Sequence, residues 1–92
     1  MNEAVVIWDL DDEPDGNVQH VRAHDLTIEE VEDVLLEAAN PTSESRSSGE
    51  TVTFGWTRTG RHIIVVWEHV QGDPLTIRPI TAYEVPPPRE KR

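Results

Sequence analysis

By residue type, His62, Glu68 and Arg78 are the side chains of this 92-residue chain that could do acid–base chemistry beside an anion. Such chemistry needs a group that moves a proton and a cation that holds the negative charge. His62 fits acid or base, Glu68 fits a base beside it, and Arg78 fits the anion. Arg58 and Arg61 flank Thr59-Gly60. Two arginines so close make a cationic spot suited to an anion. Tyr83, beside Glu84, brings a phenol that could donate a proton or stack on a base. His20 and His24 stand four apart and share a helix face. That spacing suits two zinc ligands, which would then need carboxylates to complete the set. The acidic run Asp9 to Asp15 lacks the spacing of a calcium loop and reads as a solvated turn. Each candidate also has a plainer reading, as a cross-strand neighbour, a surface ion pair or a rim aromatic.

The elements that must position these groups follow from hydrophobic pattern. Ala4 to Trp8 is a β-branched and aromatic run, hence a short buried strand. Pro14 suits a first helical position with Asp12 or Glu13 as cap, giving a short helix to about His24 with Val18 and Val21 inward. Thr27 and Glu30 spell a capping box, and Leu26 with Val31 makes the accompanying hydrophobic staple. Ile28, Val31, Val34, Leu35 and Ala38 then form one apolar stripe. Asn40-Pro41 stops that helix, and residues 42–50 read as a polar loop. Two strands flank Thr59-Gly60. A two-residue turn there pairs Trp56 with Ile63, Phe54 with Val65 and Val52 with Trp67, an all-apolar face. The opposite face receives Thr51, Thr53, Gly55, Thr57, His62, Ile64, Val66 and Glu68. Residues 69–74 form a turn, and Leu75 to Ala82 a third strand that is at an edge or bulged at Pro79. Trp8, Trp56 and Trp67 offer stacking surfaces, but Trp56 and Trp67 fall on the face assigned to the core.

Composition narrows the classes. There is no cysteine, which excludes disulfide frameworks, thiolate metal sites and cysteine nucleophiles. The longest uncharged apolar run is too short for a membrane span or a signal core, which points to the cytoplasm. Net charge is −10, and it is lopsided. Residues 1–50 carry 14 acids against 2 bases, and residues 51–92 carry 4 acids against 6 bases. An acidic helical half thus faces a mildly basic sheet half, and the field as a whole repels nucleic acid.

In order along the chain stand Trp8-Asp9, Asn17-x-x-His20, His24-Asp25-Leu26-Thr27 with Glu29-Glu30, then Gly60-Arg61, then Ile77-Arg78-Pro79-Ile80-Thr81-Ala82. This ordered set, over roughly residues 5–84, resembles the BrnT family of toxin–antitoxin toxins. The resemblance implies a RelE-like ribonuclease of the cytoplasm, neutralised by a small ribbon-helix-helix antitoxin and acting on RNA. It adds His24 and Arg61 to the candidate catalytic residues. The sequence departs from the family pattern at Ala23, Asp25 and Tyr83, and a proline-rich tail replaces the basic helix that usually follows.

The expected architecture is α+β, a small antiparallel sheet with two helices on one face in the order β-α-α-β-β-β. One domain covers residues 1–84, and 85–92 form a proline-rich basic tail. Neither cofactor nor metal is expected. Two functions compete. One is a metal-independent ribonuclease toxin using His62, Arg78, Arg61, His24, Tyr83 and Glu68, with Arg58, Arg61 and Arg78 on RNA. The other is a non-catalytic protein-binding module on the same fold, using its acidic helical face.

Overall fold

The computed structural model describes residues 3–44 and 49–88. Among these the elements run β1 (Val5–Val6), α1 (Asn17–Ala23), α2 (Ile28–Leu35), β2 (Thr42–Glu44), β3 (Thr51–Trp56), β4 (His62–Gly72) and β5 (Leu75–Glu84). They build an α+β fold with one five-stranded sheet in the order β1-β5-β4-β3-β2. β1 runs parallel to β5, and every other pairing is antiparallel. Both helices supply the core against one face of this sheet. The polar stretch expected as a loop over 42–50 contributes β2, an exposed edge strand paired to β3. Residues 45–48 of that stretch, and the basic end of the tail at 89–92, lie outside the described residues.

α2 forms for local reasons. The Thr27 hydroxyl accepts from the Glu30 backbone N–H at 3.1 Å, and the Glu30 carboxylate accepts from the Thr27 N–H at 3.1 Å. Such a cap contributes about 1 kcal/mol. Val31, Val34 and Leu35 are buried. The helix ends at Leu35, so Ala38, expected on the stripe, is outside it and exposed.

α1 starts at Asn17, three residues after Pro14. The carboxylate that meets its first turn comes from a distance, because Asp9 accepts from the Asn17 backbone N–H at 2.9 Å. Its C-terminus is a Schellman motif. The Asp25 N–H bonds the Arg22 carbonyl, and the Leu26 N–H bonds the Val21 carbonyl. Asp25 holds the left-handed position at φ 61°.

The core gathers Val21, Leu26, Val31, Val34 and Leu35 from the helical layer, and Ile63, Val65, Trp67, Ile77 and Ala82 from the sheet. Ile77 and Ala82 are an odd number of residues apart, yet both point inward. The reason is a bulge, since Val66 pairs with Thr81 while Trp67 pairs with Pro79, leaving Ile80 over. Pro79 therefore sits at a bulge, where its missing N–H is tolerated. A second irregularity leaves Val70 over, and β4 continues to Gly72 through most of the segment expected as a turn.

The β3–β4 hairpin corrects the expected register. Thr57 bonds back to Arg61, so the loop is the three residues Arg58-Thr59-Gly60, with Gly60 at φ 88°. Trp56 pairs with His62, Phe54 with Ile64 and Val52 with Val66. This one-residue slip turns β3 over. Thr51, Thr53, Gly55 and Thr57 point to the core side and are buried, while Val52, Phe54 and Trp56 point away. Trp67 is buried at 2 % exposure, as expected, but Trp56 is 54 % exposed and not a core residue. The inward threonines are hydrogen-bonded. Thr53 takes the Trp67 indole N–H at 2.9 Å, and the hydroxyls of Thr57 and Thr59 lie 2.7 Å apart.

Candidate functional site

The sheet places His62 and Arg78 on the same face but not in one site. His62 pairs with Trp56 and Glu68 with Arg78, so the two rows are six residues apart along β4. At ~3.3 Å per residue that is roughly 20 Å. No single phosphate reaches both, and Glu68 is likewise remote from His62. Thr51, Thr53 and Thr57, expected beside His62 and Glu68 on the opposite face, point to the core instead.

Arg78 is bound in the structure. Its guanidinium meets Asp9 at 2.6 Å and Glu68 at 3.6 Å. Asp9 accepts from the Asn17 backbone N–H, and the Asn17 side chain returns a bond from the Asp9 N–H at 2.8 Å. The Asn17 amide also donates to the carbonyls of Ile7 and Pro79 at 3.0 and 2.8 Å. Asn17 thus ties β1, α1 and the β5 bulge together while 1 % exposed. The Asn17 backbone bond, aided by Arg78, holds the Asp9 carboxyl below its ordinary value.

Arg61 is bound as well. It reaches Glu30 at 3.6 Å, Glu84 at 3.3 Å and the Asp25 carbonyl at 2.5 Å. Glu30 is 7 % exposed. Burial pushes its carboxyl up, but bonds from Thr59 and Thr27 and the charge of Arg61 outweigh it, and the net direction is down. Arg58 lies on Asp33 at 3.3 Å, and its backbone N–H adds a bond to the same carboxylate at 3.1 Å. Arg22 meets Asp11 at 3.6 Å. Every arginine among the described residues therefore answers a carboxylate.

The histidines are also engaged. His20 Nδ1 lies 3.1 Å from the Ile80 carbonyl. The Asn17 and His20 side chains cover β5 carbonyls beyond the short β1, which protects that edge. His24 packs against the Tyr83 ring with centroids 5.6 Å apart. His62 is buried against Trp56 at 5.0 Å, and its Nδ1 has no hydrogen-bond partner. Among the described residues no three histidine or carboxylate side chains are grouped to hold a metal ion.

Two other surfaces stand out. The first is a groove on α2 bordered by Glu29, Glu32, Asp33, Glu37, the half-buried Leu36 and Arg58. The second is the sheet face turned away from the helices. It carries the row Phe54, Ile64, Tyr83 beside the row Val52, Val66, Thr81.

Sequence reasoning missed Glu30 as the buried partner of Arg61, and Asp9 with Asn17 as a junction. The lopsided charge was the available signal. An acid-rich half folded onto a half with few bases meets those bases with carboxylates. Compared with protein-family models, curated proteins and solved structures, the chain finds no match. No helix among the described residues is long and apolar enough to cross a membrane.

Proposed function

We propose that this chain is a non-catalytic protein-binding module of the cytoplasm that uses its acidic helical face to hold a basic partner. The observation that carries this reading is the pairing of Arg22, Arg58, Arg61 and Arg78 with carboxylates, which leaves each of them engaged before any phosphate arrives. The groove on α2 has the opposite character. Glu29, Glu32, Asp33 and Glu37 surround Leu36, so a lysine or arginine stem can lie on the leucine with its head among the acids. Arg58 supports this reading, since its own guanidinium already rests on Asp33 there.

The residues that carry the resemblance to BrnT toxins serve the scaffold. Trp8 donates to Glu32 at 3.0 Å, Asp9 and Asn17 bond each other, and Arg61 joins Glu30 to Glu84. A toxin-derived fold with its phosphate-binding cations neutralised accounts for both the motif order and the ion pairs. The ribonuclease reading requires Arg61 or Arg78 to exchange a carboxylate for RNA.

The test has two arms. A fluorescein-labelled lysine-rich peptide titrated by anisotropy is expected to bind, and to weaken at least tenfold between about 50 and about 300 mM salt. The pair Glu29→Gln and Glu37→Gln is expected to weaken it at low salt. Inducible expression of the wild type, His62→Ala and Arg78→Ala is expected to leave growth equal in all three strains. Growth arrest by the wild type alone, with metal-free RNA cleavage in vitro, would overturn the module in favour of the toxin and its antitoxin.

A further inference from the structure

We propose that the sheet face turned away from the helices is a self-association surface, and that its occupant is the same face of a second copy of this chain. The face is built from the register. Trp56 with His62, then Phe54 with Ile64 and Tyr83, then Val52 with Val66 and Thr81 make three adjacent cross-strand rows. Val52, Phe54, Ile64 and Val66 are half-buried, and Trp56 and Tyr83 are 54 % and 38 % exposed. The helices contribute their apolar residues to the core on the other side. Beyond these rows Ser43 pairs with Val52, and Glu68 and Arg78 balance each other at 3.6 Å. Val5, opposite Thr76, is 48 % exposed at the far edge, and Pro86 and Pro88 line a cavity with Phe54, Trp56 and His62 at one corner. An apolar centre with its charged neighbours neutralised suits a protein interface.

Charge selects the occupant. The chain carries −10, and its acids are concentrated in the half that builds the helical layer. Two copies joined through this face place their helical layers on opposite outer sides, with two uncharged sheet centres in between. Any approach through the helical layers brings carboxylates together. A two-fold contact also needs a surface that matches itself, which a neutral apolar field with its neighbouring charges balanced does. β2, β3, β4 and β5 hold 3, 6, 11 and 10 residues, which at ~4.8 Å between strands and ~3.3 Å along them make a face of roughly 480 Å². That extent suits a weak, concentration-dependent pair, below the roughly 800 Å² per partner of a standard stable interface. Two sheets stacking this way stand ~10 Å apart, the usual spacing of a β-sandwich core.

Sedimentation velocity on the full chain from about 1 to about 200 µM is expected to move the mass from 10.4 kDa towards twice that value. Trp56→Lys changes an exposed side chain, and Tyr83→Lys changes a rim side chain that also rests on His24. Circular dichroism should show both folded, and both should raise the dimer dissociation constant at least tenfold. Added salt should strengthen the dimer by screening two like-charged copies. This is the reverse of its effect on the basic-partner complex above, so the two ideas fail separately. The chain has no cysteine, which makes cross-linking clean. Ile64→Cys, at the centre of the face, should give a covalent dimer with a short bis-maleimide cross-linker, and Glu37→Cys on the helical side should not. A monomer at every concentration overturns the proposal and leaves the face to a different protein. A dimer that ignores both lysine variants, weakens with salt, or cross-links through Glu37→Cys overturns it too.

Discussion

The side-chain amide of Asn40 lies directly against Gly55, its carbon 2.6 Å from where a β-carbon on residue 55 would stand. The same amide donates to the Val34 carbonyl at 2.8 Å, near the end of α2. One side chain thus closes the helix and rests on the sheet, and only a glycine leaves room for it. Gly55→Ala is expected to destabilise the fold by about 1–3 kcal/mol, the usual cost of overpacking. Asn40→Ala alone loses the bond to Val34 and costs about 1 kcal/mol. In the double variant the clash is gone, so the losses should fall well short of additive in a denaturant double-mutant cycle. Additive losses would show that the amide does not set the requirement at position 55.

Asn17 fills four bonding roles within 1 % exposure, through its own N–H, its side-chain oxygen and both amide hydrogens. Asn17→Ala strands the carbonyls of Ile7 and Pro79, at a cost of about 2–4 kcal/mol. Asn17→Asp keeps the shape but faces those carbonyls and Asp9 with a carboxylate, and is expected to be worse than alanine at pH 7. Urea midpoints on the two variants decide the order.

Asp25 occupies a left-handed position at φ 61° without glycine's freedom. Its contribution to Arg61 comes from the backbone carbonyl, which a glycine retains. Asp25→Gly is therefore expected to raise stability by about 0.5–1 kcal/mol. A fall in the thermal midpoint would mean that the aspartate side chain contributes more than its conformation costs.

Stability should fall in acid through two carboxylates. Asp9 is held below its ordinary 3.8 by the Asn17 backbone bond and by Arg78. Glu30 is held below 4.5, because burial is outweighed by Thr59, Thr27 and Arg61. A carboxyl whose folded value is depressed stabilises the fold above its unfolded value, and loses that contribution as pH falls through the folded one. Stability contributed by this pair should be flat from pH 7 to about 5 and drop below about 4. Glu30→Gln, which keeps a capping side chain but cannot titrate, should be less stable at pH 7 and less sensitive to acid. Denaturant midpoints at pH 7, 5 and 3 test this, and equal slopes for wild type and variant would refute it.

The sequence by itself determined what local chemistry controls. The capping box Thr27–Glu30, the stripe Val31, Val34, Leu35 and the inward set Ile63, Val65, Trp67 depend on neighbours within a few residues and were legible, while Pro79 read as an edge or a bulge until its pairing with β4 decided it. What tertiary structure decided was which way β3 faces and what the arginines meet. The register of β3 rests on a three-residue loop with Gly60 left-handed, and on Asn40 reaching Gly55 across fifteen residues of chain. Both β3 faces carry plausible side chains, so alternation alone could not choose between them. Arg61 and Arg78 find Glu30 and Asp9 from 31 and 69 residues away, and no spacing rule encodes such pairs. Loop closure and packing select those partners only once the helices lie on the sheet, and that selection brings Arg61 and Arg78 into internal ion pairs.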